Sequence, residues 1–257
     1  MKILNIAFYQ FLNIPHYKSL RAPLLEKCKS LGLKGTILLT PEGINGFLAS
    51  SDSSILKFQE YIKVLDPVFS ALTYKESWSN EVPFTEMLVK LKKEIISFGV
   101  SGLDPIHKTG KRLAPHELKK WYDEKKDFLI LDTRNDYETV VGTFENAIDF
   151  NIQKFTQFPE LLTIEKDKFI NKPVVMFCTG GVRCEKATAL ALKLGINDVY
   201  QLEGGILKYF EDVGSAHYKG DCFVFDHRVA VTPDLKPNPE NIGTRDSYRA
   251  YLKSLHE

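Results

Sequence analysis

Short apolar runs and helical repeats alternate through the first hundred residues. The run at 2–12 is apolar and aromatic enough to form a central strand. Apolar residues at helical spacing follow it and predict a helix whose packed face includes Cys28. Two strand-like runs are then joined by the segment 42–46, in which Asn45-Gly46 is typical of a tight turn. A hairpin is therefore predicted there.

A second helix and two further strands complete this pattern. Ser53 or Ser54 can cap the helix, whose apolar residues share one face. Strand-like stretches follow at 71–77 and 87–96. The order strand, helix, hairpin, helix, strand predicts a ferredoxin-like (acylphosphatase-like) α+β sandwich, with the last stretch as an added or exchanged strand. Such a fold names no function by itself.

The next segment is rich in glycine, proline and positive charge. Glycine and proline residues recur between 97 and 115, which indicates a linker. From 86 to 126 the chain carries ten Lys or Arg against six Asp or Glu, an excess of four positive charges. Such a stretch can grip a phosphate backbone, with Lys90, Lys92 and Lys111 as candidate contacts. An ordinary solvated surface explains the charge equally well.

Strands alternate with helix-length segments in the second half of the chain. Short buried strands are predicted at 128–131, 147–150, 174–177 and 199–202. This alternation is typical of a parallel-sheet α/β domain. The predicted organisation is a ferredoxin-like domain at 1–97, a basic linker at 98–112, the α/β domain at 113–214 and a C-terminal extension at 215–257. The extension is expected to hold a strand-like core and a short final helix.

The sequence Cys178-Thr-Gly-Gly-Val-Arg183 lies where a predicted strand runs into a helix. Its glycines let backbone N–H groups turn inward, and together with the positive end of the helix they form a cup for an anion. A Cys178 thiolate is stabilised in such a cup, which makes Cys178 the predicted nucleophile and Arg183 its charged partner. The predicted substrate-binding wall between them consists of Thr179, Gly180, Gly181 and Val182. A buried structural cysteine is the competing interpretation.

Two charged residues follow another strand of the same predicted sheet. Ligands of open parallel sheets bind at the carboxyl ends of the strands. Asp132 and Arg134 occupy such an end, as Cys178 does. We expect Asp132 to buttress the site and Arg134 to face an anionic substrate, and a surface ion pair is the alternative for each.

The amino-acid composition excludes few classes of protein or partner. Of the 257 residues, 44% are hydrophobic, enough for one large or two small domains. Lys and Arg number 34 against 33 Asp and Glu, so overall charge supports neither a nucleic-acid nor a membrane partner, and such a partner needs a local patch. No signal peptide and no membrane-spanning run are predicted.

The remaining cysteines suggest structure rather than chemistry. Four cysteines at low density argue against a disulfide scaffold and fit a reducing cytoplasm. Cys184 is expected to pack within its helix. Cys222 and His227 suggest a metal, but no second Cys or His pair completes the ligand spacing, so no metal site is predicted.

Several of these segments together resemble a known family. The Cys178–Arg183 loop, the Asp132–Arg134 strand end and Gly204-Gly205 resemble a rhodanese domain. The segments at 37–46, 91–96 and 222–231 extend the likeness over nearly the whole chain, to the rhodanese-like tRNA uridine hydroxylase family. Longer members continue into a cysteine-rich region beyond the length of this sequence, so no function of that region is expected here.

The resemblance implies a specific activity. It implies oxygen-dependent formation of 5-hydroxyuridine at the wobble position of tRNA, with molecular oxygen as co-substrate. It also implies that Cys178 is the essential cysteine, which carries a persulfide in rhodanese domains, and that Arg183 is the loop arginine. In this interpretation the first domain and the basic linker hold the tRNA anticodon arm while the second domain acts on an unstacked base.

Other functions stay open at the level of sequence. A thiosulfate or persulfide sulfurtransferase uses the same Cys178 and Arg183. A cysteine phosphatase, by resemblance, needs five residues between cysteine and arginine, whereas this loop has four. A non-catalytic tRNA-binding module leaves the complete loop without a role. The sequence contains no Gly-rich dinucleotide fingerprint and no facial metal triad, so no cofactor is identified and Cys178 is expected to add to the uracil ring or to pass through an oxidised state. No oligomeric state is predicted.

Overall fold

A computed structural model describes residues 2–238 of the chain. The chain divides between Ile95 and Ile96 into two compact units. Within the described residues, no helix is both long enough and apolar enough to span a membrane. The short final helix predicted in the C-terminal extension lies outside these residues.

The first unit is a five-stranded sheet with two α-helices. Its elements are β1 (Ile3–Phe11), α1 (Arg21–Ser30), β2 (Lys34–Thr40), β3 (Gly43–Ser50), α2 (Asp52–Leu65), β4 (Lys75–Ser79) and β5 (Met87–Leu91), with a short 3-10 helix at Pro67–Phe69. The strand order is β4-β1-β3-β2-β5, in which β5 runs parallel to β2 at the edge. The first four strands and two helices form a ferredoxin-like sandwich, and β5 is the added strand. The predicted fold of this half is confirmed.

Two local predictions in this unit were wrong. The hairpin between β2 and β3 turns at residues 41–42, and Asn45-Gly46 lies inside β3. The reason is packing: Gly46 is opposite Phe8, and a Cβ atom on it would lie 2.4 Å from the Phe8 ring. The cap of α2 is Ser51, whose Oγ accepts the Ser54 N–H at 3.3 Å. Ser51 has the extended backbone that a cap requires.

The core of the first unit includes Cys28. Its side chain is fully buried on α1, among apolar residues from both helices and the sheet. Burial raises the pKa of the Cys28 thiol to about 12. The thiol is therefore neutral at physiological pH, and the prediction of a core cysteine is confirmed.

The second unit contains a parallel sheet flanked by helices. Its elements are β6 (Lys111–Leu113), α3 (Pro115–Asp123), β7 (Leu129–Asp132), α4 (Asp136–Thr139), β8 (Gly142–Phe144), β9 (Ile148–Asp149), α5 (Phe158–Glu165), β10 (Val174–Phe177), α6 (Val182–Lys193), β11 (Val199–Leu202), α7 (Gly205–Val213), β12 (Tyr218–Gly220), β13 (Cys222–Phe223) and β14 (Ala230–Val231), with 3-10 helices at Phe155–Gln157 and Lys166–Lys168. The main sheet has the order β6-β11-β10-β7-β9, and its neighbouring strands are parallel. The predicted parallel α/β fold is confirmed.

Part of the predicted linker belongs to this second unit. Phe98 is 1% exposed and packs against Phe155, with ring centroids 4.7 Å apart. Residues Lys111–Leu113 form β6 and pair with β11. For these residues the linker prediction was wrong, because the glycines and prolines shape a packed segment that composition cannot distinguish from a free one.

The described part of the extension after α7, up to residue 238, also packs onto the second unit. β12 pairs with β8, while β13 and β14 form a small hairpin of their own. Cys222 and Phe223 of β13 are fully buried. This hairpin, residues 222–231, lies next to the candidate site described below.

Candidate active site

The candidate nucleophile lies in the loop that joins β10 to α6. Gly181 caps the helix in a left-handed conformation, with φ at 101°, and its N–H donates to Cys178 Sγ at 3.0 Å. The Cys178 carbonyl accepts the N–H of Ile206 on α7 at 3.0 Å. A Cβ atom on Gly205 would lie 2.4 Å from that carbonyl oxygen, so the start of α7 can approach the loop only with glycine. Two helix beginnings therefore fix Cys178.

The Cys178 thiol is unusually acidic. Its burial raises the pKa, but four favourable contacts outweigh that effect and lower the pKa to about 5. The contacts are the Cys184 thiol as a donor, the positive charge of Arg183, and the backbone N–H groups of Arg183 and Gly181. Cys178 is therefore a thiolate at neutral pH, which favours a nucleophile over an inert structural cysteine.

Cys184 is more than a packing residue. It is fully buried in the first turns of α6, as expected, and its Sγ lies 3.8 Å from Thr133 Oγ1. Burial and the neighbouring Cys178 thiolate raise its pKa well above the usual value. Cys184 therefore stays protonated and donates to Cys178, a role that helical periodicity does not indicate.

Arg183 is held by a carboxylate that no sequence pattern singled out. Its Nη1 and Nη2 donate to Glu138 Oε1 and Oε2 at 2.5 and 2.7 Å. Glu138 is fully buried on α4, and Thr179 Oγ1 also donates to it, at 3.4 Å. The anion that binds Arg183 in this structure is thus Glu138. The sequence carries a weak signal for it, an acidic residue soon after the strand end at Asp132.

Arg134 does not face a substrate, so that prediction was wrong. Its side chain is completely buried and turns back onto Asp132, with Nη2 2.7 Å from Oδ2. The same Nη2 donates to the Gly142 carbonyl at 2.6 Å. Asp132 also accepts the Thr143 hydroxyl at 2.9 Å. The pair is buried rather than at the surface, and it joins the end of β7 to β8.

The predicted substrate-binding residues between Cys178 and Arg183 are only partly exposed to solvent. Thr179 is buried, and its hydroxyl shares its one proton between Glu138 and the Phe223 carbonyl oxygen, which lies 3.3 Å away. Gly181 is also buried, whereas Gly180 and Val182 are only half-buried. Gly180 and Val182 are therefore the most exposed residues of the loop.

Comparison with known proteins identifies the family. The family model described as UPF0176 acylphosphatase like domain matches residues 3–95, and the rhodanese-like domain model matches residues 114–212. A tRNA uridine(34) hydroxylase of Cupriavidus necator is 48% identical over 242 residues, which cover 92% of this chain and 86% of that protein. One from Thiobacillus denitrificans is also 48% identical and is covered to 97%. The chain belongs to the tRNA uridine(34) hydroxylase family.

The family assignment confirms the resemblance found in the sequence and the two predicted folds. Among solved structures, a rhodanese-like domain protein from Staphylococcus aureus is 30% identical, with a TM-score of 0.33, over 38% of this chain and 90% of that one. The rhodanese match ends at residue 212. The hairpin 222–231 of this tRNA uridine(34) hydroxylase family member therefore lies outside the matched rhodanese domain.

The predicted tRNA contacts lie at the surface of their units. Lys90 is exposed on the edge strand β5, and Lys92 is exposed one residue after the end of that strand. They line a groove of about 540 Å³ together with Arg21 and Lys29 of α1. In the second unit, Lys111 is exposed, with Nζ 3.4 Å from Asp198 and 5.1 Å from the Tyr200 ring centre. The Lys111 charge is therefore partly balanced.

Within residues 2–238, no cluster of three or more His, Cys, Asp or Glu could hold a metal ion. Cys222 is buried, and burial raises the pKa of its thiol to about 12. His227 is exposed on the loop of the hairpin.

Proposed function

We propose that this protein hydroxylates C5 of uridine 34 in tRNA and that Cys178 is the reactive group. The observation that carries the proposal is an acidic thiol, with a pKa of about 5, held in a cup of backbone N–H groups. It occurs in a chain that is 48% identical to tRNA uridine(34) hydroxylases. A tRNA substrate implies that the protein works in the cytoplasm.

The thiolate can activate the ring by covalent addition. Attack of Cys178 Sγ on C6 of uracil forms a carbon–sulfur bond and moves the electron pair of the C5–C6 double bond onto C5 and the C4 carbonyl. C5 then bonds to one atom of molecular oxygen and, after uptake of a proton, carries a hydroperoxide. Reduction by two electrons and two protons breaks the O–O bond, which leaves a hydroxyl on C5 and releases water. Loss of the C5 proton and departure of Cys178 as thiolate restore the ring with a C5 hydroxyl. Arg183, fixed by Glu138, keeps the sulfur ionised at the start and at the end of this sequence.

The oxygen comes from molecular oxygen in this proposal. One oxygen atom enters the C5 hydroxyl and the other leaves as water, which requires two electrons and two protons from a reductant of the thiol class. No resident cofactor is assigned to the chain. The residues described here supply the nucleophile, its charge and its orientation.

Trapping tests the covalent step. An anticodon stem-loop with 5-fluorouridine at position 34 lacks the C5 proton whose loss releases the cysteine. We expect it to form a stable adduct whose mass maps to Cys178, and the Cys178→Ser protein is the matched control. An unmodified Cys178 during demonstrated turnover of the normal substrate contradicts the covalent step.

The anticodon arm is the proposed part of tRNA that the protein holds. Lys90, Lys92, Arg21 and Lys29 line a groove that contains one acidic residue, Glu86, so the groove keeps an excess of positive charge suited to phosphates. Lys111 provides a further positive charge. A wobble uridine lies in a single-stranded loop, where a base can leave the stack at little cost. If the triple variant Lys90→Glu, Lys92→Glu, Lys111→Glu bound tRNA with unchanged affinity at fixed salt, this docking would be wrong.

The decisive experiment is nucleoside mass spectrometry of tRNA from cells that lack this gene and any second route to the same modification. Complementation with wild type is expected to restore 5-hydroxyuridine derivatives, and Cys178→Ala is expected not to. Unchanged tRNA, together with cyanide-dependent release of thiocyanate from thiosulfate by the purified protein, supports the sulfurtransferase instead. That activity uses the same thiolate, which can equally carry a persulfide.

A further inference from the structure

The hairpin 222–231 packs against the candidate active site. Its Phe223 carbonyl accepts the hydroxyl of Thr179, the residue after Cys178, at 3.3 Å. The Phe223 ring packs edge-on against Tyr137 of α4, with centroids 5.3 Å apart. Since α4 also carries Glu138, the hairpin, the cysteine loop and the Arg183 partner form one packed cluster.

The loop of this hairpin presents an aromatic ring beside Arg183. Phe225 is a large apolar residue that is 40% exposed. Its ring centre lies 5.8 Å from the Arg183 guanidinium carbon and 5.2 Å from the Phe223 ring centre. Arg183 also donates its backbone N–H to Cys178 and lowers the pKa of that thiol. Phe225 and the thiolate thus share Arg183 as a neighbour.

The loop holds Phe225 in a fixed position. Asp226 accepts three side-chain hydrogen bonds from Arg228, from Nε at 2.9 and 3.1 Å and from Nη2 at 2.6 Å. Val224 N–H donates to the Val229 carbonyl at 2.8 Å and closes the loop. Val229 has φ at 63°, a left-handed conformation that is rare for a β-branched residue. Such strain is maintained only where the surroundings enforce it, and it concentrates at ligand-binding sites.

We propose that Phe225 is a substrate-binding residue on which the uracil of the target uridine stacks when it leaves the anticodon loop. This inference rests on the proposed function and names how the same site holds its base. Single-stranded RNA bases stack on exposed aromatic side chains and on arginine planes. The nearby charges are already paired, Asp226 with Arg228 and Glu138 with Arg183, so the surface beside the ring suits a neutral planar group.

The experiment combines steady-state kinetics and photo-crosslinking on an anticodon stem-loop. Phe225→Ala is expected to raise the KM for the RNA about tenfold or more, the effect of losing one base–aromatic stack. Phe225→Trp retains a ring and is expected to stay near wild type. Ile164→Ala, which removes another exposed apolar side chain of the second unit, is the control and leaves KM unchanged. With 4-thiouridine at position 34, the crosslink is expected at residue 225 and to be lost in Phe225→Ala.

The outcomes separate this inference from the proposed function. If wild type makes no 5-hydroxyuridine but still crosslinks at residue 225, the hydroxylation assignment fails and base stacking stands. If wild type hydroxylates the RNA and Phe225→Ala changes neither KM nor the crosslink, stacking on Phe225 is wrong. If alanine and tryptophan are equally impaired and the wild-type crosslink maps elsewhere, Phe225 only supports the hairpin, and the inference is again overturned.

Discussion

At the scale of single residues, Cys184 is one of the contacts that make the Cys178 thiol acidic. Its thiol is the strongest of the contacts that lower the Cys178 pKa to about 5, ahead of the Arg183 charge. Cys184→Ala removes this donor, so we expect the Cys178 pKa to rise. The thiolate is the active form, and activity is lost as pH falls through the pKa. The acid limb of the pH–rate profile therefore moves to higher pH.

Ultraviolet absorbance of the thiolate measures the same titration directly. Burial raises the pKa values of Cys28 and Cys222 to about 12, so they do not ionise in the range where Cys178 does. Cys184→Ser keeps a hydroxyl donor and is the matched control, with a smaller shift expected. Identical acid limbs in wild type and Cys184→Ala would show that Cys184 does not tune the nucleophile.

Glu138 is expected to stabilise the fold as well as the site. It is the bidentate partner of Arg183, and both side chains are almost fully buried. Glu138→Ala leaves the Arg183 charge buried and unpaired, which is expected to lower the free energy of unfolding by about 3–5 kcal/mol. Urea unfolding measures this. The double variant Glu138→Met with Arg183→Met removes both charges and is expected to be more stable than Glu138→Ala.

At the scale of elements, the start of α7 positions the cysteine loop. Gly205→Ala places a Cβ atom 2.4 Å from the Cys178 carbonyl oxygen, and the loop has to move away. A displacement of about 1 Å at a reacting group lowers kcat by about 100-fold. Gly32→Ala is the control, because Gly32 has nearly the same φ (67° against 68°) but no atom within 4 Å of the added carbon. It is expected to lower stability by about 1–2 kcal/mol and to leave kcat unchanged.

The sequence predicts the strand–loop–helix segment around Cys178 well because its parts are contiguous along the chain. Strand β10, the glycine-containing loop and α6 follow one another directly, so local rules place Cys178 and Arg183 at the end of a parallel strand. Contacts between residues that are far apart along the chain are harder to predict from sequence. Glu138 and Arg183 are 45 residues apart, and no local pattern indicates which of many carboxylates the arginine meets.

The residues that local patterns misplace share this cause. From the sequence, Arg134 is predicted to face a ligand. In the structure its side chain donates to the Gly142 carbonyl of β8 instead. From the sequence, Asn45-Gly46 is predicted to form a turn. In the structure Gly46 lies within a strand and packs against Phe8 of the neighbouring strand. In each case a tertiary contact overrides a local preference.

At the scale of the whole molecule, a formal net charge of +1 gives little general attraction for RNA. Binding therefore has to come from local groups such as the groove along β5. Replacing Lys90 and Lys92 by alanine is expected to lower the salt dependence of log Kd for tRNA by about one for each phosphate that the variant no longer binds. Lys111→Ala is expected to change it less, because Asp198 already balances part of its charge.

Two exposed lysines on another element control for net charge. Lys57 and Lys63 on α2 are exposed, and their double replacement by alanine removes the same charge from the same unit. Equal effects of the two double variants would mean that the protein attracts tRNA through its overall charge and not through the groove along β5. Filter binding over a series of salt concentrations measures both slopes.

The pairing of β6 with β11 joins Lys111 to Tyr200, far apart along the chain. The first unit, by contrast, completes its sheet with β5, which ends at Leu91. On the ribosome the first unit can therefore fold while the second is still being made. The sheet that carries the cysteine loop can close only after Leu202 has emerged, and such long-range pairing is slow. During synthesis the reactive thiol is thus translated before the last strand that completes its sheet.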